Sequence, residues 1–123
     1  MKNILKGKIV VHSHESAILR SNPLNDPHTR DIIVYLPPEY SRSYSKGYIT
    51  VFVLAGFGGN GSSILNIDPL GENIESRMNR LISDGKCGPM ILVLVDCFTR
   101  FGGNQYMNSS ATGRYEDYIT QEI

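Results

Sequence analysis

The sequence lacks three features, each of which would have assigned it to a class of proteins. Lysine plus arginine and aspartate plus glutamate number 12 each, so there is no basic excess of the kind that nucleic-acid-binding domains carry. No apolar run approaches the ~20 residues of a membrane span, and none near the amino terminus is long enough for a signal peptide. These absences predict no nucleic-acid partner, no membrane partner and a cytoplasmic location.

Cysteine is scarce as well, and its two occurrences are badly placed for a disulfide. Cys87 and Cys97 lie on either side of the apolar segment MILVLVD. If that segment is a strand with a rise of ~3.3 Å per residue, it separates the two thiols by more than ~20 Å. A disulfide requires Cα atoms within about 7 Å of each other. We therefore predict two reduced structural thiols, as in a reducing compartment.

The three histidines do not form a metal-binding pattern. His12 and His14 would share one face of a strand, but no third ligand lies at a usable spacing. His28 lies in the polar stretch NDPHT and is expected to be solvated. The sequence predicts no metal site.

What is present is the composition of a globular domain, with 41% hydrophobic and 20% charged residues. At this length we expect one domain, 1–123. Apolar patterning predicts extended segments and strands at 8–19, 31–36, 48–55 and 90–96. The third of these is apolar without interruption, as expected of a strand that is covered on both faces of a sheet.

A helical pattern lies between the last two strands, and another begins near the end of the chain. Ile74, Met78, Leu81 and Ile82 fall on one face of a helix; Asp68–Pro69 is the expected cap and first turn, and Gly85 the expected stop. A second helix is expected to begin at RYEDYITQEI, where Glu116 and Asp117 suit the positive end of the helix dipole. The order predicts an α/β fold with a mixed, mostly parallel sheet and flanking helices.

The segment VFVLAGFGGNG, residues 51–61, contains the spacing GxGxxG at Gly56, Gly58 and Gly61. A dinucleotide-binding turn requires the last glycine to open a helix and an acidic residue about 20 positions further on. Pro69 and Gly71 are expected to interrupt any such helix, and the acid that ends the next strand, Asp96, lies well beyond that spacing. The dinucleotide hypothesis is therefore disfavoured.

The same loop suits acyl chemistry, in which backbone N–H groups stabilise the negative oxygen of a tetrahedral intermediate. In α/β-hydrolases one such donor comes from the loop after the third strand, and this loop follows the third extended segment. A tight turn without chemistry remains an alternative. Asp96 ends a buried strand at the edge where open sheets bind ligands, and its alternative role is to accept hydrogen bonds from its own loop.

Several stretches together resemble the esterase family of α/β-hydrolases that includes esterase D, feruloyl and acetylxylan esterases, enterochelin esterases and mycolyltransferases. IIVYLPPEY is similar to the family's VYLPPGY, VFVLAGFGG to VLYLLHGFGG, and YMNSSATGRYEDYITQEI to its NS…G.YEDYI..EL block. The resemblance also covers PMILVLVD and extends in order from about Thr29 to the last residue. It departs at Ala55, where the family often has His, and no GxSxG occurs.

The resemblance implies the amino-terminal part of an α/β-hydrolase fold that stops before the nucleophile elbow. It implies a serine esterase that forms an acyl-enzyme on a small ester substrate without a cofactor, with the Ser/Asp/His triad outside this chain. Phe57 N–H and the Gly58 loop position would stabilise the oxyanion, and Gly56, Asp96, Tyr106 and Asn108 would contact substrate. Acyl transfer to another alcohol and a non-catalytic binding domain are the alternatives, and loop packing is the alternative role for Tyr106 and Asn108.

The resemblance also has a consequence for the sheet. In the family, the strand before the nucleophile pairs beside the strand that corresponds to VFVLA, so this chain alone would leave an apolar edge open. Open edges invite pairing with other chains. We expect the isolated chain to self-associate through this edge, to be poorly soluble or to fold only in part.

Overall fold

A computed structural model describes residues 3–66 and 68–123 of the chain. It contains a four-stranded sheet, a two-stranded ribbon and short helices. The strands of the sheet are β1 (Lys8–Glu15), β2 (Thr29–Leu36), β3 (Ile49–Val53) and β4 (Met90–Leu94). The other elements are α1 (Gly61–Leu65), α2 (Ile74–Ser83), the ribbon strands β5 (Asn108–Ser109) and β6 (Gly113–Arg114), and α3 (Tyr115–Asp117), which continues as a π-helical turn (Tyr118–Glu122).

The strand order of the main sheet is β1-β2-β4-β3. β1 pairs antiparallel with β2, β2 pairs antiparallel with β4, and only β3 and β4 run parallel. The sheet is mixed, as predicted, but the prediction that it is mostly parallel is wrong for the described residues. The reason is that β1, β2 and β4 follow one another across the sheet with alternating direction, and a single crossover through α1 and α2 makes the parallel pair.

β3 is an edge strand, and this corrects the expectation that both its faces are covered. Within the described residues it pairs with β4 alone, and Ile49 is 72% exposed while Val51 and Phe52 are also exposed. The apolar run alone therefore did not distinguish a covered strand from an exposed edge strand. Self-association through this edge stays a prediction.

α1 begins at Gly61, directly after the glycine loop, and ends at Leu65, before Pro69 and Gly71, which were expected to interrupt any helix here. Asn60 caps it, because its side chain accepts a hydrogen bond from Ser63 N–H while the Ser63 hydroxyl accepts one from Asn60 N–H. A Cβ at Gly61 would lie 2.8 Å from the carbonyl oxygen of Leu94, so only glycine lets the helix approach β4 this closely. One criterion of the dinucleotide turn is thus met, but α1 has only five residues.

α2 begins five positions later than the sequence indicated. Asn73, not Asp68, is its N-cap and accepts a hydrogen bond from Ser76 N–H, whereas Asp68 accepts one from Leu70 N–H in a separate local turn. The predicted apolar face is correct: Met78 is buried and packs with Tyr35 and Leu92. Asn79 on the same helix accepts hydrogen bonds at 2.8 Å from Tyr35 Oη and Gly7 N–H, which joins α2 to the sheet.

The opposite face of the sheet packs against α3 and the π-helical turn. Tyr115 and Tyr118 are fully buried there against Val93 and Val95. Glu122 joins the turn to the segment after β1: it accepts hydrogen bonds from the Ser16 hydroxyl and from Ala17 N–H at 2.7 Å. These contacts end β1 at Glu15, earlier than the extended segment to residue 19 that the sequence indicated.

The Glu122 carboxylate is expected to make the folded chain less stable at acid pH than at neutral pH. Burial raises the pKa of Glu122, but the hydrogen bonds from Ser16, Ala17 and Ile18 outweigh it and leave the pKa below its usual value of 4.5. A carboxyl group with a lowered folded-state pKa stabilises the fold above its unfolded pKa, and that contribution is lost as pH falls through the folded pKa. We expect the thermal midpoint of the wild-type chain to fall below about pH 4.5.

Glu122→Gln should lower the thermal midpoint at neutral pH, because the carboxylate that accepts these hydrogen bonds is gone. The midpoint of the variant should also fall less than that of the wild type as the pH becomes acidic, because the titrating group is gone. Glu116→Gln removes an exposed carboxylate from the same segment and is the matched control, which should keep the wild-type pH dependence. Thermal unfolding followed by circular dichroism at a series of pH values measures both. Equal pH profiles for Glu122→Gln and the wild type would contradict the role given to Glu122.

No helix within the described residues is both long enough and apolar enough to cross a membrane.

Candidate functional site

The glycine loop after β3 and the loop after β4 meet at one edge of the sheet, where both parallel strands end. They enclose a cavity of about 490 Å³, within the range of small-molecule sites. Its lining residues are Ala55, Gly56, Phe57, Gly59, Cys97, Gly103, Asn104, Gln105 and Tyr106. Three predicted site residues, Gly56, Phe57 and Tyr106, are therefore brought together.

Gly58, predicted as part of the oxyanion loop, is placed differently. Its N–H donates a 2.7 Å hydrogen bond to the carbonyl oxygen of Gly102, so this amide is occupied and is not a free donor. Gly102 has φ of +89°, and a Cβ there would lie 2.7 Å from the Phe57 ring, so both its backbone and its contact require glycine. Gly58 thus connects the two loops.

The amides of Gly56 and Phe57 remain unpaired. Among residues 3–66 and 68–123, neither N–H donates a hydrogen bond. Phe57 is also 88% exposed and belongs to the cavity lining. An unpaired backbone N–H at a cavity is the kind of group that can bind a negative oxygen.

Tyr106 connects the opposite wall of the cavity to the glycine loop. Its hydroxyl donates to the carbonyl oxygen of Ala55, and its N–H donates to the Asn104 side chain at 2.6 Å. Asn104 in turn donates to the carbonyl oxygen of Cys97 at 2.7 Å. Gln105 and Tyr106 both have φ of +57°, and left-handed backbone in two successive non-glycine residues is strained and concentrates at functional sites.

Cys97 is the thiol in the cavity lining, but its electrostatics do not suit a nucleophile. Burial raises the pKa of Cys97 to about 12, although the positive charge of Arg30 lowers it in part. A thiol with such a pKa stays protonated at neutral pH, and the thiolate is the reactive form. Cys97 is therefore a packing residue. Neither Cys97 nor Cys87 forms a disulfide.

Asp96 does not line this cavity. Arg30, only 4% exposed, donates from one guanidinium nitrogen to Asp96 at 3.2 Å and to the carbonyl oxygen of Phe98 at 2.7 Å. Arg30 also donates to the hydroxyl of Tyr115 at 3.1 Å. Asp96 accepts a further bond from Phe98 N–H. These contacts favour the structural role of Asp96 over substrate binding.

Asn108 lies outside the cavity as well. It begins β5, and its side chain accepts a 3.1 Å hydrogen bond from the N–H of Asp117, the last residue of α3. His12 and His14 are neighbours, with ring centroids 6.2 Å apart. Across the part of the chain that the structure describes, no group of three or more His, Cys, Asp or Glu side chains is placed to hold a metal ion.

Sequence reasoning missed Arg30 and Asn104, which hold the loop after β4, and Gly102, which joins that loop to the glycine loop. Arg30 carried a signal, since it has the same strand parity as Ile32 and Val34 and so points to the same side of β2. No sequence signal indicated the role of Asn104, because an asparagine beside two glycines is typical of any loop.

Comparisons with known proteins indicate the fold. No protein-family model matches the chain, and no curated protein matches it by sequence. A solved ferulic acid esterase matches with a TM-score of 0.62 and 20% identity, over 96% of this chain and 40% of the esterase. A CE1 ferulic acid esterase from Anaeromyces mucronatus, solved in complex with ferulic acid, matches with a TM-score of 0.65 and 18% identity, over 100% of this chain and 43% of its own.

At these identities the likeness is one of fold alone, and the chain spans less than half the length of either esterase. The described residues of this chain form a mixed sheet with few helices, and the match in fold is to esterases.

Proposed function

We propose that this chain is the amino-terminal portion of an α/β-hydrolase that cleaves carboxylic esters through an acyl-enzyme. In this proposal Phe57 N–H stabilises the oxyanion, and the cavity between the two loops receives a small ester. The serine, the acid and the histidine lie outside these 123 residues, because no GxSxG occurs among them. No cofactor takes part.

One observation carries the proposal. The loop after the third strand, which is where α/β-hydrolases have an oxyanion donor, leads into α1 and lines a cavity, and its Phe57 N–H donates no hydrogen bond within the described residues. The hydrogen bonds of Gly58 and Tyr106 fix the loop from two sides, as a preorganised donor requires. The match in fold to two ferulic acid esterases supports the same conclusion.

Gly58 itself is no longer proposed as a donor, and Asp96 and Asn108 are no longer proposed to contact substrate, because each has a structural partner. Acyl transfer to an alcohol other than water differs from hydrolysis only in an acceptor site, and no observation favours it. Ester hydrolysis is therefore the function that we propose.

A fluorophosphonate probe tests where the nucleophile lies. We expect the 123-residue chain to take no covalent label and to hydrolyse no p-nitrophenyl ester, since no serine within the described residues lies in a GxSxG strand-to-helix elbow, the turn that activates a nucleophile. Mass spectrometry after incubation reads the label, and a catalytically competent serine esterase is the positive control. A label on any serine of this chain would overturn the proposal.

The coding sequence after the Ile123 codon provides the second test. We expect an open frame that encodes a strand followed by GxSxG. A frame that continues through the next strand and helix without a serine elbow would favour a binding domain instead.

A further inference from the structure

A row of three tyrosines lies at the edge of the sheet opposite the cavity. Tyr40, Tyr44 and Tyr48 belong to the connection between β2 and β3, and this tyrosine row adjoins Pro89, which precedes β4. Because β3 has five residues, the row and the glycine loop are separated by about 17 Å of strand. The row therefore belongs to a different surface from the proposed ester site.

Tyr48 is the central ring of the row and is fixed in place. Its hydroxyl accepts a 3.1 Å hydrogen bond from Ser41 N–H. The ring centroid of Tyr40 lies 5.2 Å from that of Tyr48, and that of Tyr44 lies 5.0 Å away, with tilts of 33° and 34°. Tyr40 and Tyr44 remain 37% and 45% exposed, so a preformed aromatic surface faces solvent.

A hollow of about 410 Å³ lies beside the row. Tyr44 and Tyr48 line it together with two prolines, two serines and Glu39. The hydroxyl groups of Ser41 and Ser43 are 2.9 Å apart and both residues are exposed. The hollow thus combines aromatic faces with hydroxyl groups and one carboxylate.

This chemistry selects among ligands. Glu39 is the one charged residue in the described lining, so phosphates and carboxylates would meet a negative charge and no cation. A proline ring that packs between two aromatic rings needs them about twice the ~3.5 Å contact distance apart. The centroids of Tyr40 and Tyr44 lie only 5.2 and 5.0 Å from that of Tyr48, so the row has no such slot on either side of Tyr48 for a proline-rich peptide. A neutral sugar fits, because its C–H face packs on an aromatic ring while its hydroxyls bond to serine, tyrosine and carboxylate groups.

We infer that this hollow and the tyrosine row form a binding site for a neutral saccharide chain, separate from the ester site. The inference does not depend on the proposed esterase activity. Rigid tyrosines lose little conformational entropy on binding, and Tyr48 is already held by Ser41, so the surface needs no rearrangement to accept a sugar.

Titration of the 123-residue chain with cellohexaose tests the site. The chain contains no tryptophan and seven tyrosines, three of them in the row, so a change in tyrosine emission that Tyr44→Ala abolishes reports on the row, and calorimetry gives the affinity. We expect Tyr44→Ala to weaken binding roughly tenfold or more, as the loss of one aromatic contact implies. Tyr44→Phe should retain most of the affinity, because the ring remains.

Phe101→Ala is the matched control, since Phe101 is an exposed aromatic residue on the loop after β4 and should leave binding unchanged. Circular dichroism checks that each variant is folded like the wild type. Three results would each overturn the inference: no binding of cellohexaose, binding that Phe101→Ala weakens while Tyr44→Ala does not, or tighter binding of hexagalacturonate or of a decaproline peptide.

Discussion

Arg30→Met is expected to destabilise the chain by about 3–5 kcal/mol, enough to unfold a marginally stable domain. The substitution removes the guanidinium from a buried position and leaves Asp96 without its cationic partner. It also leaves the carbonyl oxygens of Pro27 and Phe98 without the donors that they have now. Urea unfolding followed by circular dichroism measures the loss.

Arg20→Met is the matched control. Arg20 pairs with Glu15, but both side chains are 60% exposed, and exposed pairs contribute at most ~1 kcal/mol. We expect the control to stay close to the wild type. Equal midpoints for Arg30→Met and Arg20→Met would show that the buried cation does not hold Pro27, the loop after β4 and α3 together.

Phe57→Pro is expected to reduce kcat by about 100- to 1000-fold in a form of the protein that includes the serine elbow, while KM changes little. Proline has no N–H, so the substitution deletes the donor proposed for the oxyanion. A donor that acts only when the negative oxygen forms affects the transition state more than substrate binding. Steady-state hydrolysis of a p-nitrophenyl ester gives both constants.

Phe57→Ala separates the amide from the ring, because it keeps the N–H and removes the aromatic group that contacts Gly102. We expect it to retain most of kcat. If Phe57→Ala lost as much activity as Phe57→Pro, the ring rather than the amide would be the functional group, and the oxyanion role of Phe57 would be wrong.

Local patterns predicted the elements, whereas contacts between distant residues decided their surroundings. The apolar periodicity of α2 depends only on its own residues, and the predicted face is buried. Its start was misplaced because Asp68 does bond to a nearby N–H, as a cap would, but in a turn of its own. The exposure of β3 depends on the strand order, and the same apolar letters suit a central strand or an open edge.

For the site as well, local sequence predicted the loop but not the contacts that its residues make with distant residues. The glycine loop is visible in the sequence, and Gly56 and Phe57 line the cavity. That Gly58 is occupied depends on Gly102, which lies on another loop, and that Asp96 is occupied depends on Arg30, 66 residues away. No local pattern specifies which of several loop amides and carboxylates will find such partners.

The two hydrogen bonds that cross between the loops constrain how this protein can evolve. Surface loops ordinarily tolerate insertions and deletions. Here Gly58 donates to Gly102 while Tyr106 donates to Ala55, so the loop after β4 is fastened to its neighbour at two points four residues apart along its own length. A single inserted residue between Gly102 and Tyr106 would change the spacing of the two hydrogen bonds, so that both could no longer form at once. Relatives of this protein should therefore vary in the composition of that stretch but not in its length.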